Sequence, residues 1–141
     1  MQCDNRSKCQ SALNSATNAI EILKEKPRSL LYADGLLTIA RFMMHTDDVH
    51  MYKLRMLTCA TKALHILRTS EPTHAVAMAE AHKYIGLALI ACGKTPQGLE
   101  HMRSSLELLK SAYGENHGIT IETKKMITIV SKTMREIIVN E

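Results

Sequence analysis

Four cysteines and seven histidines are the residues of this 141-residue chain best suited to chemistry, and their spacing argues against it. Cys3 and Cys9 have five residues between them, whereas a structural zinc half-site has two to four between its paired thiolates. Cys59 and Cys92 fall inside apolar helical patterns, where a free thiol packs as a small hydrophobe. The histidines (His45, His50, His65, His74, His82, His101 and His117) form no H-E-x-x-H and no i, i+4 pair around a carboxylate. "GKT" at Gly93–Thr95 invites a phosphate-loop reading, but Ala88 stands where that loop needs glycine, and a helix precedes it. No serine lies in a G-x-S-x-G elbow. The expectation is a chain without catalytic residues, resident metal or cofactor.

What remains is architecture. Hydrophobic residues make up 45% of the chain, with nine Met, no Trp and one Phe, so the core must be Leu, Ile, Met and Ala packed along helices. Three Pro and six Gly leave room for few turns and therefore long elements. The net charge of +4 is mild, and Lys124, Lys125, Lys132 and Arg135 suit a solvated helix face better than a nucleic-acid stripe. No apolar run reaches the roughly 18–20 residues of a membrane span. The polar start "MQCDNRSKCQ" is unlike a secretory signal, so a reducing compartment, cytoplasm or nucleus, is expected.

Periodicity and punctuation mark six helices. The first, about Lys8–Glu25, sets Cys9, Ala12, Ala16, Ala19, Ile20 and Leu23 along one side. The second runs from Ser29 to His45 on Leu30, Ala33, Leu37, Ala40 and Met44. "TDD" at Thr46–Asp48 has N-cap chemistry for the third, about Val49–Thr69. That helix carries two stripes, one of Leu54, Leu57, Thr61 and Leu64, the other of Met56, Ala60, Ala63 and Leu67. The fourth, Thr73–Cys92, ends at Gly93, which suits a left-handed residue. Thr95 is expected to cap the fifth, with Pro96 in its first turn and a stripe of Leu99, Met102, Leu106, Leu109 and Tyr113 ended by Gly114. The sixth, Gly118–Asn140, is expected to turn Ile119, Met126, Ile129, Val130, Thr133 and Ile137 inward.

Self-comparison adds a repeat. "KALHILRTSEPTH" overlies "SSLELLKSAYGENH" at an offset of about 42 residues, and after one skipped loop residue His74 meets His117. Within the second copy, Ala79–Lys110 resembles the 34-residue tetratricopeptide repeat. Ile85 and Gly86 match its large-then-small pair, Leu89 and Met102 its bulky positions, and Gly98 its second small one. The resemblance implies that Gly86 and Gly98 let two helices approach closely, while Leu89 and Met102 fill the space between hairpins. His82, Ser105 and Lys110 depart from the pattern, where an aromatic residue, Ala and Pro are usual.

A more particular resemblance covers most of the chain. Gly93, Gly98, Ser105, Leu106, Leu108, Tyr113, Gly114 and His117 are similar to a segment of the C-terminal helical domain of SET-and-MYND lysine methyltransferases. "CDNRSKCQSALN" resembles the end of that family's Cys-rich segment, which would make Cys3 and Cys9 remnants of a zinc-binding stretch. The implied fold is all-α: tetratricopeptide-like antiparallel hairpins stacked in a right-handed superhelix. The implied organisation is one domain over 1–141, with a polar lead-in (1–8), hairpins at 29–69 and 73–113, and a capping helix at 118–140.

In tetratricopeptide arrays the first helices of the hairpins line a concave groove that takes peptides or partner helices. By that register the groove residues are Glu80, Lys83, Leu87 and Ile90, with Arg41 and Met44 beside them and Met126 and Val130 on the sixth helix. The implied function is a non-catalytic interaction scaffold that borders the active-site cleft of a methyltransferase and recruits partners, its groove covered by a SET domain of the same protein. The alternative is an independent adaptor for a heat-shock chaperone tail or a partner helix. For that clamp Lys83 is in place, but Leu87 stands where Asn is expected.

Overall fold

The computed structural model describes residues 2–23, 29–45, 49–70 and 73–139. Six helices account for nearly all of them: α1 (Gln2–Leu23), α2 (Leu30–Met44), α3 (Val49–Arg68), α4 (Ala75–Ala91), α5 (Thr95–Tyr113) and α6 (Gly118–Val139). There is no strand among the described residues, and the fold is an all-α stack of helical hairpins. Each helix packs on the next in sequence, and α2 also touches α4. The helix α1 begins at Gln2, so the polar lead-in is itself helical. The TDD cap and the side chains of Cys3, Cys9, Ala19, Ile20 and Leu23 lie outside the described part.

Local chemistry sets the boundaries. Ser29 caps α2, its hydroxyl accepting from the Tyr32 N–H at 3.1 Å. At the end of α4, Lys94 N–H donates to Leu89 O (2.8 Å) and Gly93 N–H to Ile90 O (3.0 Å), with Gly93 at φ +83°. That is the Schellman arrangement, which only glycine adopts without a Cβ penalty. The next helix starts one residue earlier than expected: Thr95 is its first residue, and Lys94 holds the cap position without a side-chain bond.

A seam of alanines lets α2, α3 and α4 pack closely. Ala33, Ala40, Ala60, Ala63, Ala81 and Ala88 are each 0% exposed. Alanine gives this close approach while keeping the best helix propensity. Leu37, Met43, Met56 and Leu67 fill the remaining volume, and Leu13 brings α1 into the same core. The second stripe of α3 is thus the buried one. The first divides: Leu64 is buried in the same core and Leu57 packs against it, while Leu54 is 65% exposed and Thr61 is exposed.

The expected inner face of α6 is corrected. Ile119, Ile129, Thr133 and Ile137 are exposed, while Thr120, Thr123 and Ser131 are buried. The helix rests on α5 through small hydroxyl side chains, and Thr123 satisfies its own hydroxyl on the Ile119 carbonyl (2.9 Å). Tyr113, the last residue of the expected α5 stripe, is also exposed; its ring stacks on His117 at 4.4 Å. His117 in turn accepts the Ile119 N–H through Nδ1 (3.3 Å), opening α6 as a cap. His74 holds the same place before α4, with its carbonyl accepting the Met78 N–H. The two histidines paired by the sequence repeat therefore both begin a helix.

Candidate functional site

Two surfaces concentrate polar groups, one where α4 crosses α5 and one where α2 meets α4. The α4–α5 crossing is tight. A Cβ placed on Gly98 would lie 2.6 Å from the Gly86 carbonyl oxygen, and one on Gly86 would lie 2.8 Å from that of Gly98. These glycines stand six residues before and six after Cys92, so the helices run antiparallel and face each other pair by pair. One pair further from the turn, Ser105 donates its hydroxyl to the Ala79 carbonyl at 2.7 Å. Serine in place of the usual alanine adds a buried bond across the hairpin without enlarging the contact.

Between those two pairs lie His82 and His101, with their Nδ1 atoms 3.0 Å apart and ring centroids 5.2 Å apart. One Nδ1 carries the shared hydrogen and the other accepts it. Burial, then the neighbouring His101, pushes the His82 pKa down from the ordinary 6.5 to about 4, and burial followed by Arg68 lowers that of His101. Both rings are therefore neutral near pH 7. An unfolded histidine gains its proton near pH 6.5, above either folded ring, so stability is full above that value and falls as pH drops toward the His82 value of about 4. The expected loss between pH 7 and pH 5 is about 1 kcal/mol, reduced for the solvent that reaches one edge of the pair. Urea unfolding at the two pH values checks it: replacing both histidines by Gln should flatten the dependence, and an unchanged slope would refute the assignment.

The second surface joins α2 to α4. Arg41 donates through Nε to Glu80 Oε1 at 2.9 Å, and its terminal nitrogen binds the same oxygen. Tyr84 OH donates to that oxygen as well, at 2.9 Å. The bond to Glu80 raises the Arg41 pKa, while burial and the Glu80 charge push Tyr84 up to about 12. Met44 and Leu87 lie half-buried beside this cluster, packed against the core. Lys83 is half-buried and forms no ion pair among the described residues.

The groove residues read from the sequence thus divide. Arg41 and Glu80 meet directly, and Met44, Lys83 and Leu87 belong to the same two helices. Ile90 is turned toward α5, where its Cγ1 would lie 2.7 Å from a Cβ on Gly98. Met126 and Val130 are half-buried on α6, and no Cα of α6 lies within 8 Å of one in α4.

A third feature had no local signal. Arg68, His65 and Thr61 of α3 line a cleft of about 380 Å³ with His101 of α5. Leu57, Thr61 and Leu64, from the first stripe of α3, form one wall of it. Among the described residues no group of three or more His, Cys, Asp and Glu side chains could hold a metal ion. No described helix is long and apolar enough to cross a membrane. No protein-family model, curated protein or solved structure matches the chain.

Proposed function

We propose that this chain is a non-catalytic interaction scaffold whose α2–α4 face receives another protein. The observation that carries the reading is the seam between those helices. Consecutive hairpins are locked there by Arg41, Glu80 and Tyr84, and Lys83 and Leu87 stand beside the lock. Stacked hairpins have few ways to use such a face other than to bind along it. The equivalent starts of α4 and α6 at His74 and His117 support a repeat, and a right-handed superhelical course belongs to the same proposal.

Within that reading, the resemblance to the C-terminal domain of SET-and-MYND lysine methyltransferases supplies the partner. The face would cover, or be covered by, a SET domain beside its active-site cleft, in the cytoplasm or nucleus. An acidic chaperone tail is the less favoured occupant. Arg41 is already held by Glu80, which leaves Lys83 as the cation without an ion pair beside it among the described residues. Calorimetric titration against a SET-and-MYND catalytic fragment lacking its own helical domain tests this. Saturable binding is expected, weakened tenfold or more by Lys83→Glu or Leu87→Asp with cooperative unfolding retained. No binding by the wild-type chain would reject the partner.

A further inference from the structure

The cleft between α3, α4 and α5 combines features that the scaffold reading does not use. Leu57 and Leu64 of α3 and Ile85 and Leu89 of α4 give it an apolar wall. Its polar lining consists of Thr61, His65 and Arg68 from α3 and His101 from α5, with no carboxylate among them. Arg68 forms no ion pair among the described residues, and its charge reaches both His82 and His101. Among the described residues the carboxylate acting on this group is Glu100, which affects His101 from within α5. An arginine with no ion pair among the described residues, beside the neutral His82–His101 pair, makes the cleft electropositive, and its volume is that of a small-molecule site.

We infer that this cleft binds a small organic anion with an apolar body, its carboxylate set against Arg68 and His101 and its chain against the leucine and isoleucine wall. Arginine presents paired N–H donors that match a carboxylate, so it is the group expected to hold the charged end. The His82–His101 pair supplies the pH response. As a neutral pair joined Nδ1 to Nδ1, it has one Nε2–H and one bare Nε2. Taking up one proton leaves the Nδ1–H···Nδ1 bond intact and gives both rings an Nε2–H. A bound anion favours that protonated pair, so binding and proton uptake are coupled. His65, on the α3 side, is a further ring facing the same space.

Octanoate serves as the probe, with octanol as its uncharged counterpart, followed through the histidine ring resonances by NMR. Octanoate is expected to shift His101 and His65 saturably, to bind more tightly at pH 6 than at pH 8, and to raise the midpoint at which His101 titrates. Octanol at the same concentrations should give no saturable shift. Arg68→Met, at an exposed position, should weaken octanoate about tenfold or more. In His82→Gln, His101→Gln the pH dependence of binding should flatten. Octanol matching octanoate, an unaffected Arg68→Met variant, or the absence of saturable shifts would each overturn the assignment.

Discussion

Replacing Gly98 with alanine is expected to lower stability by about 2–3 kcal/mol and the melting temperature by roughly 10 °C. On an open helix the same change stabilises by about 1 kcal/mol, because alanine is the better helix former. Here the added methyl has nowhere to go. It would stand 2.6 Å from the Gly86 carbonyl oxygen, 2.7 Å from Ile90 Cγ1 and 3.2 Å from the Ile90 nitrogen. Two of those three atoms are backbone, so relief requires α4 and α5 to separate, which would also stretch the Ser105 and His82–His101 contacts. Gly86→Ala should cost less, since two of its three close neighbours are the flexible Cγ and Sδ of Met102. Gly118, where a Cβ meets nothing within 4 Å, should accept alanine without loss. Equal thermal stability of Gly98→Ala and Gly118→Ala would show that the helices do not cross as described.

Met102→Ala is expected to be comparably damaging, at about 3 kcal/mol within the usual range for large-to-small core changes. Met102 is 0% exposed and lies over Gly86, with its Cγ 2.9 Å from where a Cβ there would be. Its place is therefore inside the α4–α5 hairpin, where the repeat pattern assigned it to the space between hairpins. Truncation leaves a hole against a glycine, which has no side chain to swing into it, so little collapse is available. Met102→Leu, of similar volume, should recover most of the stability. Chemical denaturation of the three proteins measures this. Loss of less than 1 kcal/mol in Met102→Ala would place the side chain elsewhere.

The hairpin that carries both effects was legible because its signals are local. Gly93 marks a left-handed turn, and Gly86 and Gly98 are small residues in otherwise bulky helical patterns. The histidine pair was hidden by distance along the chain: His82 and His101 are nineteen residues apart and share no motif. Their near-equal distances from the turn were the available clue, since the antiparallel pairs Gly86–Gly98 and Ala79–Ser105 are centred on Cys92. The face of α6 was misjudged for a different reason. Hydrophobic periodicity follows isoleucines, but this helix rests on threonine and serine, whose small size allows close approach and whose hydroxyls can bond within the helix. The first stripe of α3 illustrates the converse. Leu54 and Leu57 have helical spacing, yet one is exposed and the other lines a cleft.

On the α2–α4 face, sequence register placed Arg41 beside Glu80, and the two are bonded. Register alone could not show that this bond occupies the arginine, nor that Ile90 turns into the hairpin at the glycine crossing. Both findings narrow the open part of the face to Lys83 and Leu87 with the rim of α2.

Amide hydrogen exchange of the chain, alone and with the SET-and-MYND catalytic fragment, tests the proposed scaffold most directly. Added protection is expected at the C-terminal end of α2 (Arg41–Met44) and along the middle of α4 (Glu80–Leu87), with α6 unchanged. Protection confined to α6 or to the outer side of α3, or none at saturating fragment, would contradict it.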